Sequence, residues 1–255
     1  MPFEIVTVPC LSDNYAFLLH DADAGTTALI DAPEASPIVA ALDGRGWGLD
    51  EIWITHHHDD HIAGVAALKD HYGSTVIGAA ADANRLPPLD IAVGDGDTHV
   101  FGNHDVQVMD VSGHTVGHIA FYVPDAGAAF TADSLMACGC GRVFEGTPDQ
   151  MWASLSKLAK LPPMTLICSG HEYTAANAKF AQTIEPGNPD LMSRVGAIAE
   201  TRAAGQPTVP ATLALELKTN PFLRARLPEV KAAIDMSEAS DADAFAEIRR
   251  RKDRF

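Results

Sequence analysis

The stretch Thr55-His56-His57-His58-Asp59-Asp60-His61 holds four imidazoles and two carboxylates in close succession. Desolvating such a set is costly unless its members are paired, and a metal cation compensates imidazole and carboxylate together. The pattern reads H-x-H-x-D-H. If the segment leaves a strand, His56 and His58 project to one side and suit one metal, while Asp60 and His61, at the turn into a helix, reach a second. Asp59 is expected to cap the helix or face solvent, and His57 to be a packed or exposed structural histidine. Three further donors stand at the ends of apolar runs: Ser112-Gly113-His114, Phe130-Thr131-Ala132-Asp133 and Ser169-Gly170-His171. If Asp133 bridges, these complete two sites, each with three protein ligands of its own beside the shared Asp133 and a position open to water. That is the arrangement of a catalytic rather than a structural metal site.

The elements that must position these donors are legible as short runs. Phe3–Val8, Tyr15–Leu19 and Thr27–Ile30 are β-rich and separated by turn residues, which predicts an antiparallel meander. Ser36 followed by Pro37 reads as the start of a helix ending at Gly44. Ile52-Trp53-Ile54 then delivers the histidines, a helix is expected from Ile62 to Tyr72, and Thr75-Val76-Ile77 returns as a strand. This β-α-β order places helices outside a sheet. Runs at 98–101, 106–111, 119–123 and 128–131 predict a second sheet facing the first. Thr147-Pro148-Asp149-Gln150 has the form of a capping box opening a helix, Pro162-Pro163 ends it, and Thr165–Cys168 is a last strand. From Glu172 onward the pattern is helical: Thr174–Ile184, a helix opened by Asn188-Pro189 and stopping at Gly205, and segments around Leu213, Pro228 and Ser240. The fold class is α+β, with a boundary between residues 1–171 and 172–255.

Of 255 residues 47% are hydrophobic, enough for a sizeable core, and the net charge of −16 repels nucleic acid and anionic membrane surfaces. No apolar run is long enough to span a bilayer, and Met1-Pro2-Phe3-Glu4 lacks the positive start of a signal peptide, so a cytoplasmic protein with no membrane or nucleic-acid partner is expected. Cys10, Cys138, Cys140 and Cys168 are scattered, which argues against a disulfide framework. Cys138-Gly139-Cys140 is a weak metal signal and reads better as small residues in a loop. The basic end, Arg249-Arg250-Arg251-Lys252-Asp253-Arg254, is either a solvated last turn or a local anion site.

With these residues in view, the chain resembles the metallo-β-lactamase superfamily through 55–61, Gly113-His114, Thr131-Ala132-Asp133 and Gly170-His171. Four further stretches narrow the resemblance to the glyoxalase II (hydroxyacylglutathione hydrolase) family: Leu11–Tyr15, Gly139–Gly146, His171-Glu172-Tyr173-Thr174 and Asn220-Pro221-Phe222. The basic end matches as well. The resemblance implies an αββα sandwich followed by a smaller helical domain. It implies two divalent metals, zinc foremost with iron or manganese as alternatives. His56, His58 and His114 would bind one, Asp60, His61 and His171 the other, and Asp133 would bridge. His118 is not a ligand in the family; it either orients the site or is structural.

The chemistry implied is thioester hydrolysis. Two metals sharing a water lower its pKa toward about 7, so a hydroxide can attack the thioester carbonyl, with Asp60 and Asp133 in the catalytic set. The thiolate leaves readily, an ordinary thiol having a pKa of about 8.5. The implied substrate is S-D-lactoylglutathione, giving glutathione and D-lactate in the second step of methylglyoxal detoxification by a monomeric enzyme. By the same resemblance Arg142, Phe144, Tyr173, Arg249 and Lys252 hold glutathione; Arg249 and Lys252 are three apart and share a helix face. Arg142 stands where the family often has Lys, and Phe144 where Tyr is common, so weaker glutathione binding is expected. Rivals are an iron-dependent persulfide dioxygenase, a β-lactamase or a nuclease, none of which accounts for both ligand sets and the basic end, and a glutathione-conjugate binder without turnover.

Overall fold

A computed structural model describes residues 3–255; Met1 and Pro2, the first half of the Met1-Pro2-Phe3-Glu4 opening, lie outside the described residues. The chain falls into two compact units: one takes the chain up to Asp110 together with Gly117–Ala132, the other Val111–Val116 together with Asp133–Phe255.

In the first unit, β1 (Phe3–Cys10), β2 (Asn14–Asp21) and β3 (Thr26–Ile30) form the expected antiparallel meander. β4 (Glu51–Trp53), β5 (Thr75–Ala79) and β6 (Ile91–Val93) extend the sheet in parallel, with Leu29 beside Ile52 and Ile52 beside Val76. Parallel neighbours need crossovers, supplied by α1 (Ala35–Asp43), then α2 (Asp59–Ile62) and α3 (Val65–Tyr72). A second sheet is antiparallel: β7 (Thr98–Phe101), β8 (His104–Asp110), β9 (Ile119–Val123) and β10 (Ala128–Ala132). Trp53 joins the two faces, fully buried, with ring centroids 5.4 Å from Phe101, 5.2 Å from Phe121 and 6.4 Å from Phe130. Large aromatic rings at these spacings supply apolar burial and edge contacts at once.

Three local expectations are corrected. α1 begins at Ala35, not after Ser36, and its N-cap Glu34 makes no side-chain cap bond; its Oε1 accepts from Leu11 N at 2.5 Å instead. The helix expected from Ile62 to Tyr72 is interrupted at Ala63–Gly64, because Gly64 N donates to Ala32 O at 2.8 Å and a Cβ there would stand 3.0 Å from Ala32 O, Ala35 N and Glu34 C. β4 ends at Trp53, one residue short of the expected Ile52–Ile54 run; His56, His57 and His58 follow in the irregular segment that leaves it, and His61 lies in α2.

The second unit holds the hairpin β11 (Leu135–Met136) and β12 (Gly139–Cys140), then α4 (Pro148–Leu158) with the capping box of Thr147 and Gln150 formed as expected. β13 (Leu166–Ser169) pairs with β14 (Ala211–Thr212), and α5 (Thr174–Ile184), α6 (Pro189–Ala203), α7 (Leu213–Thr219), α8 (Pro221–Arg224), α9 (Pro228–Ala233) and α10 (Asp241–Asp253) complete it. Asn188 caps α6 and Ser240 caps α10. Phe180, Phe222, Phe245 and Trp152 form a chain of ring contacts among the helices. All four cysteines are free and buried. No helix among the described residues is long and apolar enough to cross a membrane.

Candidate metal centre and substrate site

In the first unit one buried carboxylate organises the histidine segment. Asp31 accepts from Thr55 N and Thr55 Oγ1, both at 2.8 Å, and from His61 Nδ1 at 2.7 Å. Because the Thr55 hydroxyl gives its proton to Asp31, it accepts from His56 Nδ1 at 3.0 Å. Both rings are thereby held with Nδ1 protonated and Nε2 carrying the lone pair a metal requires. His56 Nε2 lies 3.2 Å from His58 Nδ1. Two donors about 2.0–2.1 Å from one tetrahedral ion stand about 3.3 Å apart, so this spacing fits a shared cation. Asp60 is fixed by Asn14, whose Nδ2 donates to Asp60 Oδ2 at 2.9 Å and to its carbonyl at 3.0 Å.

The remaining members of the motif have other partners. His57 Nδ1 is 3.0 Å from Asp82 Oδ2, and Asp59 opens α2 exposed to solvent. His118, fully buried, stacks on His56 with centroids 4.6 Å apart and 11° between planes, and its Nδ1 donates to Ile119 O at 3.1 Å. It therefore packs against a candidate ligand and fixes that ring's plane. Asp31, His56 and His61 form a group whose donor atoms all lie within 4.8 Å; the three hydrogen bonds at Asp31 make it the orienting member. Sequence reasoning passed over Asp31 and the role of Asn14. The signal was present, since Asp31 ends a strand just as Asp133 does.

In the second unit a single carboxylate oxygen faces two imidazoles. Asp133 Oδ2 is 3.4 Å from His114 Nε2 and 3.3 Å from His171 Nε2, with all three residues buried. Both spacings match donors around a common ion. His114 Nδ1 donates to Arg142 O at 2.7 Å, which leaves Nε2 as the basic nitrogen. The carbonyl of His114 in turn accepts from Phe144 N at 3.2 Å and Glu145 N at 3.3 Å. Gly141 N donates to Ser134 O at 3.1 Å, and a Cβ at Gly141 would stand 1.9 Å from Asp133 O. Segments 133–134 and 141–145 thus pack around His114 as one hydrogen-bonded body.

The residues implied for glutathione lie in this unit. Phe144, 60% exposed, meets His114 edge-on at 5.3 Å, with the Arg142 guanidinium 5.5 Å over its ring. Tyr173, 40% exposed, covers His171. Arg142 Nε is 3.9 Å from Asp253 Oδ1. Arg249 is only 7% exposed and internally engaged: it donates to Asp253 Oδ1 at 2.9 and 2.7 Å and to Cys140 O at 3.1 Å, over the ring of Phe222. Lys252 Nζ donates to Ala176 O at 3.3 Å above Phe180 and Phe255. Desolvation, then the adjacent Arg249, holds its ammonium below the ordinary lysine range. Arg250 is exposed beside Glu247, and Arg254 is exposed.

Comparison with known proteins matches residues 14–171 to the model of the metallo-beta-lactamase superfamily and residues 172–255 to that of the hydroxyacylglutathione hydrolase C-terminus. The hydroxyacylglutathione hydrolase of Ruegeria pomeroyi is 65% identical over 255 residues, covering 100% of both chains. That of a Jannaschia species is 64% identical over 252 residues, covering 99% of this chain and 98% of its own. Among solved structures, ETHE1 from Myxococcus xanthus superposes with a TM-score of 0.69 at 24% identity, covering 98% of this chain and 90% of that one; at this identity the likeness shows the fold, two sheets with a helical C-terminal region. TTHA1623 in a di-iron-bound form has a TM-score of 0.63 at 25% identity, covering 86% of this chain and 100% of that one.

Proposed function

Since the chain belongs to the hydroxyacylglutathione hydrolases of the metallo-β-lactamase superfamily, we propose a binuclear site in which His56, His58 and His114 hold one ion, Asp60, His61 and His171 the other, and Asp133 both. The enzyme is a hydroxyacylglutathione hydrolase, and its physiological substrate in this reading is S-D-lactoylglutathione, cleaved to glutathione and D-lactate in methylglyoxal detoxification. The observation that carries the assignment is the single oxygen of Asp133 facing His114 and His171 at 3.4 and 3.3 Å. Zinc is proposed at both positions, since imidazole and carboxylate donors suit it; iron suits them as well.

Bound divalent ions would supply a hydroxide near neutral pH and polarise the thioester carbonyl. Water adds to the carbonyl carbon, the C–S bond breaks and the glutathione thiolate leaves, taking up a proton from solvent. At an ordinary thiol pKa of about 8.5 the leaving group needs little help from a general acid. Asp31, Asn14 and the carbonyl of Arg142 hold the ligands in their reactive orientation. Phe144, Tyr173, Arg142 and Lys252 form the proposed glutathione grip, with Arg249 bracing it through Asp253, which Arg142 also approaches at 3.9 Å. We further assign residues 1–171 to catalysis and 172–255 to substrate binding, supported by the two matched ranges. The proposal extends to a monomer in the cytoplasm, where four free cysteines stay reduced.

Metal-replete protein and S-D-lactoylglutathione test the reading: thioester loss should equal free thiol formed, with two ions per chain by elemental analysis. His58→Ala and Asp133→Ala should each lose metal and activity. No turnover at confirmed occupancy refutes the assignment.

A further inference from the structure

Between Asp133 and Arg142 the chain makes a tight hairpin in which Leu135 pairs with Cys140 and Met136 with Gly139, leaving Ala137 and Cys138 as its turn. Cys138 sits at φ 55, in the left-handed region that residues other than glycine avoid. The polar backbone groups of this turn are taken up, one after another, by side chains from beyond residue 172. Met136 O accepts from Asn220 Nδ2 at 3.1 Å, and Ala137 O from Asn177 Nδ2 at 3.1 Å. Cys138 N donates to Glu216 Oε2 at 2.9 Å, and Gly139 O accepts from Asn220 Nδ2 at 2.8 Å. Cys140 O is held by Arg249. Buried backbone groups left unpaired would be costly, so these side chains satisfy the groups that the two-residue ladder leaves open.

The cradle is itself braced. Glu216 is fully buried; its Oε2 also accepts from Asn220 Nδ2 at 3.1 Å, and its charge is met by the buried Arg194, which donates to Oε1 and, at 2.6 Å, to Thr219 Oγ1. Asn220 Oδ1 accepts from Phe222 N at 3.0 Å, fixing the amide's orientation. Such a network specifies one arrangement because each member has its partner in place.

We infer that Glu216, Asn220 and Asn177 are positioning residues for the reaction: they set the 136–140 turn, which places Asp133 at one end and the Arg142–Phe144 segment at the other. Nothing in this role requires them to touch substrate or metal. The helical region thereby shapes the metal centre as well as the glutathione site. The inference rests on the proposed assignment of Asp133 as a ligand. Partners that orient metal ligands are worth about 10- to 100-fold in affinity or activity, and loss of this cradle should act on metal content and on KM together.

The test compares wild type with Glu216→Gln, Asn220→Ala and Asn177→Ala, and with Val230→Ala in α9 as a control for general destabilisation. Metal per chain by elemental analysis, metal retention against a chelator, kcat, KM and Tm are measured on each. The cradle variants should retain less metal, with kcat down about tenfold or more and KM raised, whereas Val230→Ala lowers Tm with metal content and kcat unchanged. Should Glu216→Gln fail to fold, Asn177→Ala, which removes one bond of the cradle and no charge, decides by the same measures. Folded cradle variants with wild-type metal content, kcat and KM overturn the inference, as does equal metal loss in Val230→Ala at matched Tm. A wild type lacking two ions or turnover fails the earlier assignment instead.

Discussion

Tyr173 lies flat on His171, ring centroids 4.7 Å apart and planes 7° from parallel. The stack ties a side chain assigned to glutathione directly to one assigned to metal. Ring pairs contribute about 0.5–1.5 kcal/mol beyond area burial. Tyr173→Ala should therefore weaken metal retention about two- to tenfold, measured by chelator competition, while Tyr173→Phe keeps the stack and changes KM alone. Equal metal retention in all three proteins would separate the two roles.

Phe144 presents an exposed ring without a hydroxyl beside Arg142. A neutral hydrogen bond contributes about 0.5–1.5 kcal/mol. Phe144→Tyr should lower KM for the glutathione thioester about two- to tenfold with kcat unchanged. A rise or no change in KM counts against a glutathione contact at this position.

Gly141 admits no side chain. Its Cβ would stand 1.9 Å from Asp133 O and 3.0 Å from His114 Nδ1, so Gly141→Ala must move the backbone of Asp133, a proposed ligand. Forced overpacking costs about 1–3 kcal/mol, and here the strain falls on the metal centre. The expected result is a protein with near-native circular dichroism, reduced metal per chain and kcat down at least about tenfold. Native metal content would show that the segment yields elsewhere.

Lys252 carries a pKa pulled below the ordinary lysine value by burial first and by Arg249 second. In the window between the folded and unfolded values the folded chain binds fewer protons, so this group's contribution makes stability rise with pH there. The proposed grip of Lys252 on an anionic substrate has the opposite sign, because the ammonium is lost as pH passes the lowered value. KM should rise on the alkaline side before an ordinary lysine would titrate, and Lys252→Arg should move that limb upward. An unshifted limb in the arginine variant would assign it to another group.

The candidate donors were legible from sequence as a set that the fold brings together, because imidazole and carboxylate at the ends of apolar runs have few other uses, and the Thr147–Gln150 box was legible because capping is local chemistry. What escaped detection depends on approach in space. Gly64 turns its N–H out of the helix to Ala32 O, and the approach of Ala32 and Ala35 to within 3.0 Å of a Cβ position is what requires glycine there. Glu216 reads in sequence as one of many surface acids, and only the meeting of α6 with α7 buries it against Arg194. Arg249, expected to share a face with Lys252 toward an anion, turns inward to Asp253 and Cys140.

The burial of Cys10, Cys138, Cys140 and Cys168 has a redox consequence. Burial pushes Cys10 and Cys140 up to about 11, Cys138 up to about 12, and Cys168 higher still. Disulfide exchange requires an accessible thiolate. An enzyme that liberates glutathione at every turnover thus offers a glutathione disulfide no accessible thiolate of its own. Its own sulfur is withheld from disulfide exchange by burial.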